Sequence, residues 1–242
     1  TVMPKIIFHS NRLYNQLSDK YNPLSSKNLV PKWYVSADKY EKNPHGEHYL
    51  NHLGGKVLSF KNCPALLDMF TAGYLYVTPC DLEFFTDEYG IPRVKTEKGF
   101  EDFCDSRQKM NDFEVPSGYY KNHFHWYPNW APRLPEGYSA LYTNPLNRFD
   151  LPFITTAGII DNDKMDTPGL FPFFLREGFK GIIPKGTPYV QVIPFKREDW
   201  EMEIVQHTYQ EIYDRHQNQA DLYRVKDGGA YKKHTWSRKR YE

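Results

Sequence analysis

Cysteine is scarce: Cys63, Cys80 and Cys104 are the only three in 242 residues, widely spaced and without a CxxC pair. An odd, dispersed set excludes a disulfide framework and a structural zinc, and it predicts a reducing compartment. Apolar runs of membrane-spanning length are missing, and the opening TVMPKIIFHS has no hydrophobic signal core. A soluble protein made and used inside a cell is expected, and an opening on Thr1 fits loss of an initiator Met. Neither sign of charge is in excess: 31 Lys and Arg against 30 Asp and Glu leave a formal +1. That balance excludes a strongly basic nucleic-acid binder and offers no acidic tail. A nucleophile elbow, a P-loop, a dinucleotide fingerprint, an HExxH pair and a kinase signature are all absent from the sequence.

Aromatics and proline are abundant instead, with 19 Tyr, 16 Phe, 5 Trp and 18 Pro, and the mean hydropathy is −0.72. Aromatic side chains suit pleated, half-buried surfaces and proline closes strands, so the composition favours β-structure joined by ordered loops. At this length one sizeable core suffices.

Residues 157–195 read as consecutive strands. Ile183-Pro184-Lys185-Gly186 has Pro second and Gly fourth, the pattern of a type I turn. Over the following 187–195, Val190 and Val192 fall on one face and Tyr189, Gln191, Ile193 and Phe195 on the other. A strand apolar on both faces belongs inside a sandwich or barrel, and Gln191 is expected there as a satisfied core amide. Upstream, the small apolar approach from Ala157 ends in Asp161-Asn162-Asp163, whose two acids share one side of a strand. A turn in which Asp and Asn bond their own backbone is the plain expectation for such an end.

Elsewhere, 4–8 reads as a short strand, and Pro31 to Tyr34 as an arm packing its aromatics on a neighbour. Residues 64–70 read as a helix closed by Gly73, then come strands at 74–77 and 81–86, a turn at Asp87 to Gly90, and a return at 92–95. Residues 97–111 are charged and predict a loop or exposed helix. His123-Phe124-His125-Trp126 alternates, which puts both imidazoles on one side of a strand with no third metal ligand nearby. Residues 127–137 hold three prolines and predict a rigid loop, 138–142 a strand, and 144–148 a turn. His45, His48 and His52 could share one helical face and a metal, but Pro44, Gly46, Gly54 and Gly55 make a polar loop the better reading. From Glu198 to about Arg224, with no Pro or Gly, Trp200, Ile204 and Ile212 recur at helical intervals and predict a helix packing on its own sheet or on a partner chain. The basic stretch KKHTWSRKRYE reads as a solvated tail with some capacity for phosphate contact.

Four phrases run in a familiar order: Thr71-Ala72-Gly73-Tyr74, Pro135 to Ser139, Ala157 to Asp163, and Pro184 to Gln191. This order, over about residues 70 to 195, resembles deoxyuridine triphosphatases and deoxycytidine triphosphate deaminases, proteins of the β-clip fold. The resemblance implies that Asp161 matches the carboxylate that activates water, and that Gln191 lies on the last core strand. It also implies Mg²⁺ among the phosphates. Departures are plain, since Leu75 stands where that family has an Asp, and Lys164 where it has its base-stacking Tyr. The phosphate motif survives only as Asn144 to Arg148, and the glycine-rich arm only as Asp227-Gly228-Gly229. Over nearly its full length the chain is also similar to a phage and bacterial family of unassigned function. Its marks here are Lys61, Cys63, Pro64, Asp68 and Ala72 to Tyr74, then Pro135 to Ser139, then Gly186-Thr187-Pro188 through Gln191-Val192-Ile193-Pro194-Phe195-Lys196-Arg197-Glu198 to Trp200.

Together these readings predict one mainly β domain with a β-clip or sandwich-like core at 59–197. An extended arm at 1–58 precedes it, and a helix with a basic tail at 198–242 follows. The expected function is that of a non-enzymatic phage-type protein, a virion component or interaction module, found in the virion or the host cytoplasm. Protein partners or self-association are expected, with no cofactor, no metal and no membrane, and nucleic acid only through the basic tail. The alternative is a divergent nucleotide-binding or nucleotide-hydrolysing protein, with Asp161 as base and Arg148, Asp163 and Gln191 about a Mg²⁺-bound triphosphate.

Overall fold

A computed structural model describes residues 3–10, 21–51, 54–223 and 235–242. His52 and Arg224 lie outside them, as do residues 224–234 with Asp227-Gly228-Gly229 and the start of the basic stretch. The fold is mainly β, with antiparallel sheets and a sandwich-like core. Contacts divide the chain into two compact units. One comprises Thr1–Leu29, Thr71–Arg197 and Tyr241–Glu242, and the other Val30–Phe70 and Glu198–Arg240.

The first unit carries the strands β1 (Ile7–Ser10), β2 (Leu24–Ser25), β3 (Tyr74–Val77), β4 (Leu82–Thr86), β5 (Pro92–Thr96), β6 (Cys104–Lys109) and β7 (Tyr119–Trp126). They continue with β8 (Trp130–Arg133), β9 (Tyr138–Thr143), β10 (Phe153–Thr155), β11 (Gly158–Ile160), β12 (Phe171–Arg176), β13 (Gly181–Ile183) and β14 (Pro188–Lys196). A five-stranded sheet runs in the order β11-β9-β14-β3-β2, and a four-stranded one in the order β10-β12-β7-β6. Smaller sheets are β13-β4-β5 and β1-β8.

β14 is interior, paired antiparallel to β3 on one side and β9 on the other. Its residues Tyr189 to Val192 are buried on both faces, as an apolar strand between two layers must be, while Phe195 opens toward solvent. Alternation in β7 buries Phe124 and Trp126, and Trp126 stacks on Phe173 of β12 at 3.8 Å. The Trp126 indole N–H donates to Thr155 Oγ1 at 3.0 Å, and that hydroxyl donates to the Tyr189 carbonyl at 2.8 Å. One polar line therefore crosses the aromatic core and ties β7 and β10 to β14.

Several local expectations need correction. The turn into β14 is one residue later than the Pro-Lys-Gly pattern suggests: the Thr187 N–H bonds the Pro184 carbonyl at 3.2 Å, and Gly186 sits third with φ 82°. A positive φ at that position is the type II requirement, which glycine meets without strain. Residues 104–109 form the strand β6 rather than a loop or helix. As the edge of its sheet it needs only one buried side chain, Cys104, and can carry polar residues outward. Residues 130–133 form β8 despite Pro132, because this two-stranded pair with β1 leaves an outer side that needs no N–H. The first strand begins at Ile7 rather than Pro4.

In the second unit, α1 (Lys32–Ser36) and α2 (Pro64–Thr71) bring Trp33 and Tyr34 against Phe70, with ring centroids at 5.7 and 4.6 Å. The neighbour of the Pro31 to Tyr34 aromatics is thus α2. Residues 198–208 are not helical, and α3 spans Tyr209–Tyr223. Its start is a capping box: Thr208 N–H donates to Glu211 Oε2 at 2.7 Å, and Glu211 N–H points back to Thr208 Oγ1 at 3.4 Å. The basic stretch is docked over its described part, for Trp236 Nε1 and Lys239 Nζ both reach the buried Asp68 carboxylate of α2, at 2.9 and 2.7 Å.

Candidate functional site

β11 ends at Ile160, and the chain turns at once, with the Lys164 and Met165 N–H groups both donating to the Asp161 carbonyl at 2.9 Å. Alternation then decides which side chains meet. Asn162 points inward and is fully buried, its Oδ1 accepting from Tyr142 Oη at 2.8 Å. Asp161 and Asp163 both meet Arg197, the residue after β14. Arg197 Nη1 lies 2.9 Å from Asp163 Oδ1, its Nη2 donates to Asp163 Oδ2, and Nη1 is 3.3 Å from Asp161.

The turn before β9 completes the cluster. Gly137 N–H donates to Asp163 Oδ2 at 2.9 Å, and Ser139 Oγ donates to Asp161 Oδ1 at 2.6 Å. Arg197 also donates to the Tyr138 carbonyl at 3.0 Å and to Ser139 Oγ at 2.9 Å. The Arg197 guanidinium, then the Gly137 N–H, hold the Asp163 carboxyl well below the usual carboxylate range, and the pairing raises Arg197 in turn. Asp163's side chain is only 3% exposed, whereas that of Asp161 is 48% exposed and open to water.

Gln191 and Arg148 stand apart from this cluster. Gln191 Oε1 accepts from Leu146 N–H at 2.8 Å, and Nε2 donates to the Ala72 carbonyl at 2.7 Å, so the amide ties two loops across the sheet. The loop it holds is the turn that delivers Arg148, entered through Asn147 at φ 58°. Arg148 makes a two-pronged pair with Asp150, both contacts at 2.8 Å. It also lines an open cleft of about 560 Å³ with Arg176, Lys185 and the apolar Leu151, Phe179 and Ile182. Neither Asp161, Asp163 nor Gln191 lines that cleft.

Of the four residues singled out from the sequence, then, two are brought together and two are separately engaged. Arg197 and Asn162 escaped that selection. Arg197 sits inside the Lys-Arg-Glu run after Phe195, and Asn162 between two acids, where period-two alternation alone marks it as inward-facing.

The histidine pair on β7 is real, with ring centroids 5.0 Å apart. His123 Nδ1 meets the Gln108 carbonyl at 2.8 Å, while buried His125 Nδ1 has no partner among the described residues. Burial, then the neighbouring His123 and Arg107, push the His125 pKa down and favour the neutral ring. Among the described residues no group of three or more His, Cys, Asp or Glu is placed to hold a metal ion, and no helix is long and apolar enough to cross a membrane. Cys80 and Cys104 are buried free thiols, with Cys80 pushed up to about 11 by burial.

Comparison with family models, with curated proteins and with solved structures yields no match to this chain.

Proposed function

We propose that this chain is a non-enzymatic contact protein of phage type, a virion component or assembly module acting in the virion or the host cytoplasm. One observation carries the reading: Trp200, Met202 and Ile204 are 88%, 83% and 78% exposed, and Tyr209 follows at 81%. Large apolar side chains gathered this densely on a surface mark a protein contact rather than a solvated face. The acids that chemistry would need support the same reading. Asp163 is held by Arg197 and Gly137, and the cation that would neutralise a phosphate, Arg148, is paired with Asp150 in a cleft that Asp161 does not line. A general base without donors for the developing phosphate charge turns over little.

The nucleotide-hydrolase alternative draws on the exposure of Asp161 and its short bond from Ser139. Pyrophosphate release from deoxyuridine and deoxycytidine triphosphates with Mg²⁺ separates the two. No release is expected, with Asp161→Asn folded and melting close to the parent. Turnover that vanishes in Asp161→Asn would promote the enzyme.

A further inference from the structure

We infer that residues 199–205 act as an exchanged strand, docking beside β13 in the cationic cleft of a second copy of this chain. The inference rests on the contact-protein reading and names its partner. Asp199-Trp200-Glu201-Met202-Glu203-Ile204-Val205 alternates acid with large apolar residue, the period of a strand rather than of a helix. The segment follows Arg197, one residue beyond β14, yet belongs to no strand, and its apolar side chains are exposed. An unpaired strand pattern of this kind gains both backbone hydrogen bonds and burial by joining a sheet edge.

The receiving edge is β13, the outer strand of the β13-β4-β5 sheet, with Ile182 58% exposed on it. Beside it lies the cleft of about 560 Å³, which carries Arg148, Arg176 and Lys185 against the single acid Asp150. Asp199, Glu201 and Glu203 supply the opposite sign. In an added strand Trp200, Met202 and Ile204 share one side and meet the apolar lining at Leu151, Phe179 and Ile182. The intervening acids lie beside the cations of the rim.

Covalent reach selects a second molecule. The cleft is lined at Gly186 to Pro188, the opening end of β14, whereas the arm leaves from its closing end at Lys196. The eight steps between Pro188 and Lys196 cover about 26 Å. Trp200 lies four residues past Lys196, a reach of at most about 14 Å. The Trp200 backbone therefore stops about 12 Å short of the Pro188 end of its own cleft, whereas reciprocal exchange between copies seats the whole segment and closes the assembly.

Light scattering on the full chain tests this, with a mass of two or more times the single-chain 28.7 kDa expected. The triple variant Trp200→Ser, Met202→Ser, Ile204→Ser and the single variant Lys185→Glu alter exposed side chains. Both are expected to melt like the parent and to shift toward single-chain mass. Combining Lys185→Glu with Glu201→Lys and Glu203→Lys is expected to restore the larger mass. A parent of single-chain mass, or an oligomer that the triple variant leaves intact, overturns the exchange. Either result without nucleotide turnover leaves the contact-protein reading standing, whereas turnover sinks that reading whatever the mass.

Discussion

Two single residues show how little room the chain leaves. Gly73 follows α2 with φ 65°, and a Cβ there would lie 2.0 Å from the Val192 carbonyl oxygen of β14. The glycine permits a left-handed turn and lets two backbones touch, so Gly73→Ala is expected to lose more than about 2 kcal/mol in urea unfolding, through left-handed strain plus the clash. Asp163 offers a pH test. Its folded pKa lies below the ordinary 3.8, chiefly through Arg197, so the stability it contributes is fully present above that ordinary value and is lost as pH falls through the depressed one. Asp163→Asn is therefore expected to melt lower than the parent at pH 7, with the gap closing as strong acid is approached. A gap that stays constant down to pH 2 would mean that the Arg197 pair contributes nothing. Gln191 as a satisfied amide was legible in the sequence, because a polar residue in a doubly apolar strand must be paired. Arg197 was not, because nothing local tells which of many charges a folded sheet brings against two acids, of which Asp163 is 34 residues away.

At the scale of elements, β14 is where pattern and structure agree best. Val192 is fully buried between β3 and β9, and Val192→Asp is expected to lose more than about 3 kcal/mol in thermal or urea unfolding by burying an unpaired charge. A variant melting within a few degrees of the parent would put the strand at the surface. Interior strands announce themselves because both faces must be apolar. Edge strands such as β6 and β8 do not, since one polar face and one free backbone edge are compatible with water. The helix was legible in existence and not in extent. Trp200, Ile204 and Ile212 satisfy a helical spacing, yet Trp200, Met202 and Ile204 satisfy a strand spacing equally well, and the Thr208 to Glu211 capping box decides between them. Trp200 and Ile204 are exposed and precede the helix that the spacing extended over them.

For the molecule as a whole, the mainly β class followed from aromatic and proline content, turn chemistry and alternation, all of which are local signals. The division of the chain was beyond such signals, since each unit is assembled from segments far apart in sequence: residues 30–70 join 198–240, and 1–29 join 71–197 and 241–242. Within the first unit, Ser25 Oγ of β2 donates to the Tyr241 carbonyl at 2.6 Å, a contact 216 residues apart, and Tyr74 of β3 packs on the Tyr241 ring. On a translating ribosome the β2 edge must wait for 216 further residues to be made before that partner exists. The edge of the five-stranded sheet is therefore finished last, and until then it is the part of the nascent protein most open to a chaperone or to pairing with the wrong strand.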